Sequence, residues 1–153
     1  MTTDQTTLPD CWEKFQQVLD NGIDRIILFG PPGTGKTYCG LHHGNVEAGA
    51  FRLVCTEDMT NADVTGSFML EKGDFRWVSG AALKAWNGDG TAGGRLVVDE
   101  IDKAGGDVFA TLLAMLDTPE SASWENPQNG RVHTPKAGFT AVMTTNVEEM
   151  QEL

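Results

Sequence analysis

The chain has 153 residues, which is enough for one domain with a buried core and too few for two ordinary domains. Its net charge of −11 makes nucleic acid an unlikely partner and disfavours binding to an anionic membrane, and its longest apolar runs are too short to cross a bilayer. The polar N-terminus lacks the features of a signal peptide. The three cysteines include no CxxC pair, which argues against a disulfide framework or a zinc site and fits a reducing compartment. We therefore expect a cytoplasmic protein.

The first third of the chain predicts alternating helices and strands. An apolar stripe follows Asp10, which is suited to cap a helix, and Gly22 is suited to end that helix. The predicted elements are a helix at 10–21, a buried strand at 25–29, a helix at 36–47 that its glycines weaken, and a strand at 51–56.

The remaining chain continues this alternation and adds two hairpins. The predicted elements are a hairpin at 68–78 turning at 72–74, a helix capped by Ser79 and ending at 86, a strand at 96–99, a helix at 107–117, a hairpin at 124–135 and a strand at 139–145. This order predicts an α/β fold, with a mostly parallel sheet between two layers of helices.

The stretch LFGPPGTGKTYCG matches the phosphate-loop pattern, G-x-x-x-x-G-K-[ST]. Gly30 and Gly35 allow a tight turn whose N–H groups face phosphate oxygens, and the following helix adds its positive end. Lys36 can reach the β- and γ-phosphates, and the Thr37 hydroxyl can bind Mg²⁺. The alternative is a glycine-rich turn without a ligand, but the strand before the loop and the helix after it favour nucleotide binding.

Two acidic residues end the third predicted core strand, LVVDE. Asp99 is placed to hold Mg²⁺ through water, and Glu100 is placed to activate an attacking water. The alternative is a charged helix start without a chemical role. The fourth core strand ends at Asn146, whose amide can bond the γ-phosphate or position the water, or alternatively cap a terminal helix.

GPPGTGKT followed by VVDEID and TTN resembles the AAA+ ATPases. The sequences between these motifs resemble the MoxR-like branch, which is itself similar to the dynein-related AAA modules. They are RLVCTEDMTNADVTGSF for the second strand, KGDFRWVSGAALKAW for the insert and second helix, and NGRVHTPKAGFTAVMTTN for the pre-sensor hairpin and sensor strand. The resemblance runs from about residue 23 to the end.

The resemblance implies a three-layer P-loop NTPase fold, in which a segment with a short helix (1–22) precedes a partial AAA+ nucleotide-binding core (23–153). It implies ATP and Mg²⁺ as cofactors, with Thr37 and Asp99 at the metal, and Glu100 and Asn146 as catalytic residues. It also places Thr56 where many members restrain the catalytic Glu. The implied Walker A residues are Gly30, Pro31, Pro32, Gly33, Thr34, Gly35, Lys36 and Thr37.

The sequence departs from the family after Asn146. A fourth helix, an arginine finger, a fifth strand and a helical lid would come next, whereas the last arginine is Arg131 and seven residues follow Asn146. We therefore expect either a core truncated after its fourth strand or a short protein that a partner completes. In both cases strand 25–29 would lie at an apolar edge, and the isolated chain would show weak or no ATP hydrolysis.

Three functions remain open on the sequence. The first is an ATPase that remodels or activates a partner protein, for which the resemblance implies a hexameric ring and a partner with a von Willebrand factor A domain. The second is an ATP-binding module that does not hydrolyse its nucleotide. The third is a small P-loop kinase, which Glu100 and the Asn-tipped strand disfavour because they suit water activation.

Overall fold

The computed structural model of the chain describes residues 10–31, 33 and 35–146. Its helices are α1 (Asp10–Asp20), α2 (Lys36–His42), α3 (Asn61–Val64), α4 (Ala81–Asn87) and α5 (Gly106–Met115), with a 3₁₀ turn at Ile101–Lys103. Its strands are β1 (Arg25–Phe29), β2 (Ala50–Val54), β3 (Gly66–Glu71), β4 (Asp74–Ser79), β5 (Arg95–Asp99), β6 (Trp124–Glu125), β7 (Val132–His133) and β8 (Thr140–Thr145). None of the helices in these ranges is long and apolar enough to cross a membrane.

Four strands form a parallel sheet in the order β1-β8-β5-β2. The two central strands are buried on both faces, which explains why β5 reads as a continuous apolar run rather than an alternating one. Along β8, Ala141 and Met143 face one core cluster while Val142 faces the other, as the two-residue period of a strand requires.

Helices cover both faces of the sheet. On one face, α4 and α5 bury Trp86, Leu112 and Met115 against β5 and β8. On the other face, α1 and α2 pack Phe15 and Cys39 against Val142. This three-layer arrangement confirms the predicted P-loop NTPase fold class.

Helix α2 is shorter than predicted, since it ends at His42 rather than near residue 47. The carbonyl oxygens of Gly40 and His43 accept hydrogen bonds from the buried Arg95 guanidinium, which closes the end of the helix. Gly40 favours close packing, because a Cβ there would lie 3.2 Å from side-chain atoms of both Val97 and Val142, which would have to move slightly. A glycine that weakens the isolated helix therefore lets it approach the sheet closely.

Both predicted hairpins form, as two-stranded antiparallel sheets. Strands β3 and β4 turn at 72–73, and β4 extends through Ser79, so Gly80 rather than Ser79 precedes α4. The second hairpin has only two residues in each strand, with Gly130 at a positive φ of 67° in its turn. The prediction that Ser79 caps the following helix was wrong, because Ser79 continues β4 and pairs with Gly66 of β3.

Candidate functional site

The candidate site lies where parallel strands end at the same edge of the sheet. The loop after β1, the acidic pair at the end of β5 and the polar tip of β8 meet around a cavity of about 460 Å³. The residues that line it are Gly33, Gly35, Lys36, Thr37, Arg52, Val54, Asp99, Glu100, Thr144 and Asn146. The structure thus brings together residues from all three predicted motifs.

Two described glycines of the loop between β1 and α2 have backbone conformations that suit a tight turn. Gly33 and Gly35 have φ values of 80° and 78°, in the left-handed region that favours glycine. The Lys36 ammonium donates to the carbonyl oxygens of Gly30 at 2.6 Å and Pro31 at 3.0 Å, so it crosses the loop and stays beside the cavity. The other two predicted loop residues, Pro32 and Thr34, lie outside the described residues.

Asp99 is the centre of the hydrogen-bond network. Its side chain is 4% exposed and accepts from the Thr37 hydroxyl at 2.8 Å, the Thr144 hydroxyl at 3.1 Å and Arg52 Nε at 2.5 Å. Burial of a carboxylate is tolerated here because each of its oxygens has a donor.

The oxygen atoms at Thr37 and Asp99 suit a magnesium ion that a nucleotide brings with it. Mg²⁺ in phosphoryl-transfer sites takes one or two protein oxygens and completes its shell with phosphate and water. Within the described ranges, no group of three or more His, Cys, Asp or Glu residues could hold a metal by itself. The donor set therefore fits Mg²⁺ bound together with phosphates, and not an all-protein metal centre.

Glu100 has an unusual backbone for a residue with a side chain, with φ 55° and ψ 49°. Its N–H donates to the Thr144 hydroxyl at 3.1 Å, which fixes this turn. The carboxylate is 40% exposed, borders the cavity and forms an ion pair with Lys103 at 3.3 Å. The turn therefore directs one acidic side chain into the network at Asp99 and leaves the next accessible to water.

The tip of β8 contributes more than the predicted amide. Asn146 borders the cavity, and the residues before it, Thr144 and Thr145, are buried and bonded to the acidic segment. The Thr145 hydroxyl donates to Asp102 at 2.7 Å. The sequence contained a signal for these roles, because two hydroxyl residues in a central apolar strand need partners when buried.

Arg52 is a site residue that the motif analysis missed. The signal was alternation along FRLVC, where Phe51, Leu53 and Cys55 face the core and Arg52 faces the loop side. Thr56, by contrast, is exposed, and no hydrogen bond joins it to Glu100 in the part of the chain that the structure describes. The charged partner seen at Glu100 is instead Lys103.

Comparisons with known proteins agree with this geometry. The family model of the AAA domain (dynein-related subfamily) matches residues 25–153. Protein CbbQ of Hydrogenophilus thermoluteolus is 31% identical over 112 residues, which are 69% of this chain and 38% of that protein.

A solved structure from Cytophaga hutchinsonii, described as a candidate ATPase, superposes with a TM-score of 0.60 at 17% identity. It covers 90% of this chain, and the match spans 38% of its own length, so this likeness supports the fold alone. The family match includes the loop, the acidic pair and the tip of β8. The chain belongs to the dynein-related subfamily of AAA domains, in the MoxR-like part of the AAA+ ATPases that its motifs predict.

Proposed function

We propose that residues 23–153 form a nucleotide-binding core that holds ATP with Mg²⁺ and hydrolyses it when assembled with its neighbours. The observation that carries this proposal is the 2.8 Å hydrogen bond between Thr37 and Asp99, which joins the phosphate loop to the acidic end of β5. A glycine-rich turn without a ligand has no need of a buried carboxylate beside its threonine. The general membership in the AAA+ ATPases supports the same proposal.

The site residues form two groups, one that binds the nucleotide and one that activates the attacking water. Lys36 and the loop N–H groups neutralise the phosphates, and Thr37 with Asp99 provides oxygens for the Mg²⁺. Bound Mg²⁺ supplies charge compensation for the phosphates. Glu100 accepts a proton from the attacking water, and Asn146 orients that water or the terminal phosphate.

A second function, ATP binding without hydrolysis, has one observation in its favour. Lys103 is paired with the Glu100 carboxylate at 3.3 Å, and this ion pair occupies the group that would otherwise contact the attacking water. Because both side chains are about two-fifths exposed, their pair is weak and opens readily. We therefore place hydrolysis first, with release of Glu100 from Lys103 as a step before water activation.

We further propose that the chain works as part of a homo-oligomeric ring, with six subunits as the expected number, in the cytoplasm. The AAA+ ATPases are typically ring-forming, which supports oligomerisation. The resemblance to the MoxR-like branch supports remodelling or activation of a partner protein, for which a von Willebrand factor A domain protein is our candidate.

Lys36→Ala tests the binding site directly. The variant should lose at least about tenfold in affinity for Mg·ATP, because a charge-assisted contact to phosphate disappears, while its thermal unfolding midpoint stays within a few degrees. Calorimetry on the wild type and on both variants measures this, with Lys84→Ala on the exposed side of α4 as the matched control. Equal affinity of Lys36→Ala and Lys84→Ala for Mg·ATP would contradict the assignment.

A further inference from the structure

Arg52 occupies a position in the cavity that a structural ion pair alone does not require. Its side chain is 52% exposed, although its partner Asp99 is 4% exposed. It borders the same cavity as Lys36 and Thr37. A second cation therefore lies beside the phosphate loop of a chain whose net charge is −11.

The way in which Arg52 is bonded leaves most of its donors free. A guanidinium has five N–H groups, and here the Nε–H group is bonded to Asp99 at 2.5 Å. Within the described residues, no acceptor takes a hydrogen bond from the two terminal nitrogens. By covalent geometry these nitrogens lie beyond Nε, farther from the β2 backbone.

The chemistry of these free donors selects the ligand. Two terminal nitrogens in one plane match the oxygens of a phosphate, and guanidinium–phosphate contacts are often bidentate. Lys36 is already assigned to the phosphates and Asp99 to the metal. A terminal phosphate that enters the cavity can satisfy the unbonded nitrogens of Arg52 without breaking the Nε bond to Asp99.

We propose that Arg52 is a ligand of the terminal phosphate supplied by the same subunit, and that it makes the site prefer ATP over ADP. Its Nε stays on Asp99, which fixes the plane of the guanidinium, while its terminal N–H groups donate to γ-phosphate oxygens. This inference rests on the proposed function, because it requires a nucleotide in the cavity. It adds an arginine in cis to the site, independently of any arginine that a neighbouring subunit provides.

The test is nucleotide selectivity measured by calorimetry on the whole chain. Binding of AMP-PNP and of ADP, each with Mg²⁺, is compared for the wild type, Arg52→Gln and Arg52→Lys. Arg52→Gln should weaken AMP-PNP binding about tenfold or more and change ADP binding by less than about threefold. The affinity of Arg52→Lys for AMP-PNP should lie between those of the wild type and Arg52→Gln, because lysine keeps the charge and loses the planar fork. Arg76→Gln is the matched control, since Arg76 forms an exposed ion pair with Glu71 on the hairpin.

A second series in EDTA separates contact with phosphate from an effect through Asp99. Without Mg²⁺, Asp99 has no ion to hold, so a selectivity loss that persists in EDTA supports a direct contact between Arg52 and the phosphate. A loss confined to Mg²⁺ conditions, or an equal loss for AMP-PNP and ADP, would overturn the proposal. If the wild type binds neither nucleotide, the proposed function fails and this inference fails with it.

Discussion

Glu100 shows how a single residue can be set apart from its neighbour by backbone conformation. A residue with a side chain rarely adopts φ 55°, and this one is held there by the bond from its N–H to Thr144. The left-handed turn directs Asp99 into a buried network and Glu100 toward water. Two adjacent carboxylates thereby receive different environments, as their proposed roles in metal binding and in proton transfer require.

Glu100→Gln should therefore separate binding from catalysis. The amide keeps the size of the side chain and removes the base, so the affinity for Mg·ATP should change by less than about twofold, while single-turnover phosphate release falls about a hundredfold or more. The rate is measured at protein concentrations at which the proposed oligomer forms. Glu125→Gln, an exposed residue of β6, serves as the control. Unchanged turnover in Glu100→Gln would show that this carboxylate is only a charged helix start.

The acidic residues of the site also affect the pKa of the Cys55 thiol. Burial raises the pKa of its thiol to about 11, and the charges of Asp102, Asp99 and Glu100 add to the effect. In the folded protein the thiol keeps its proton up to a higher pH than in the unfolded chain, where its pKa is 9.0. Its contribution to stability is complete below about pH 9 and is lost as the pH rises toward about 11.

This predicts that the wild type loses stability relative to Cys55→Ala between pH 9 and 11. Urea unfolding of both proteins at several pH values in that window gives the difference in free energy of unfolding, which should narrow with rising pH. Iodoacetamide at pH 8 should modify Cys55 only after unfolding. A constant difference across the window, or rapid modification of the native thiol, would contradict the raised pKa.

The sequence predicted the site residues that lie in contiguous motifs and missed those that reach it from elsewhere. Lys36, Asp99 and Asn146 each lie at or beyond the carboxyl end of a strand within a recognisable pattern, so their meeting follows from parallel topology. Arg52 joins the network through a side chain from the middle of a neighbouring strand. Its partner could not be named before the β2–β5 register, which pairs Arg52 with Val97, was known.

At the scale of elements, strands were predicted better than helix ends. The bounds of β1 agree with the predicted range, because a short apolar run between polar residues leaves little choice. The end of α2 depends instead on Arg95, which is distant in sequence and caps the helix by tertiary contact. Local propensity carries no information about such a partner.

The β3–β4 hairpin is exposed to solvent along one part of its length. Phe75 is 70% exposed, and Met69 and Leu70 are 53% and 66% exposed. Trp77, by contrast, packs against the main core, and its ring centroid lies 5.3 Å from that of Trp124. Strand alternation places these two aromatic residues on the same face of β4, so their environments differ by position along the hairpin: Phe75 lies next to the turn at 72–73, whereas Trp77 lies farther from the turn and reaches the core.

The hairpin offers a matched pair of substitutions. Trp77→Ala should lower the free energy of unfolding by about 3 kcal/mol, because it removes a packed aromatic side chain. Phe75→Ala should change it by less than about 0.5 kcal/mol and leave nucleotide binding intact. Urea unfolding with tryptophan-independent circular dichroism measures both. Equal losses would mean that Phe75 also belongs to the core.

At the scale of the whole molecule, β1 lies at an edge of the described four-stranded sheet. In the described sheet it borders only β8, and Ile27 and Phe29 are 52% and 61% exposed. The predicted apolar edge is therefore present among the described residues. An edge of this kind presents unpaired N–H and C=O groups together with apolar side chains to other chains.

Ile27→Lys should reduce self-association of the chain, because a charge on an edge strand opposes pairing. Sedimentation velocity over a range of concentrations should show a mass that rises with concentration for the wild type and less so for the variant. Val132→Lys is the control, since Val132 is 65% exposed on the small hairpin and not on the main sheet. If both lysine variants behave alike, the edge is not the site of association.

The central place of β8 has a consequence for how the molecule folds. β1 forms near the start of the chain, yet its partner in the described sheet is a strand near the end, with Arg25 opposite Ala141. Contacts so distant in sequence form slowly, since a long loop must close before they give any stabilisation. During synthesis the phosphate loop would follow a strand whose neighbour in the described sheet is absent until residues 140–145 emerge. Under the proposed function, ATP would stabilise the chain only after β8 is inserted into the sheet, which would couple the insertion of this strand to the acquisition of ligand.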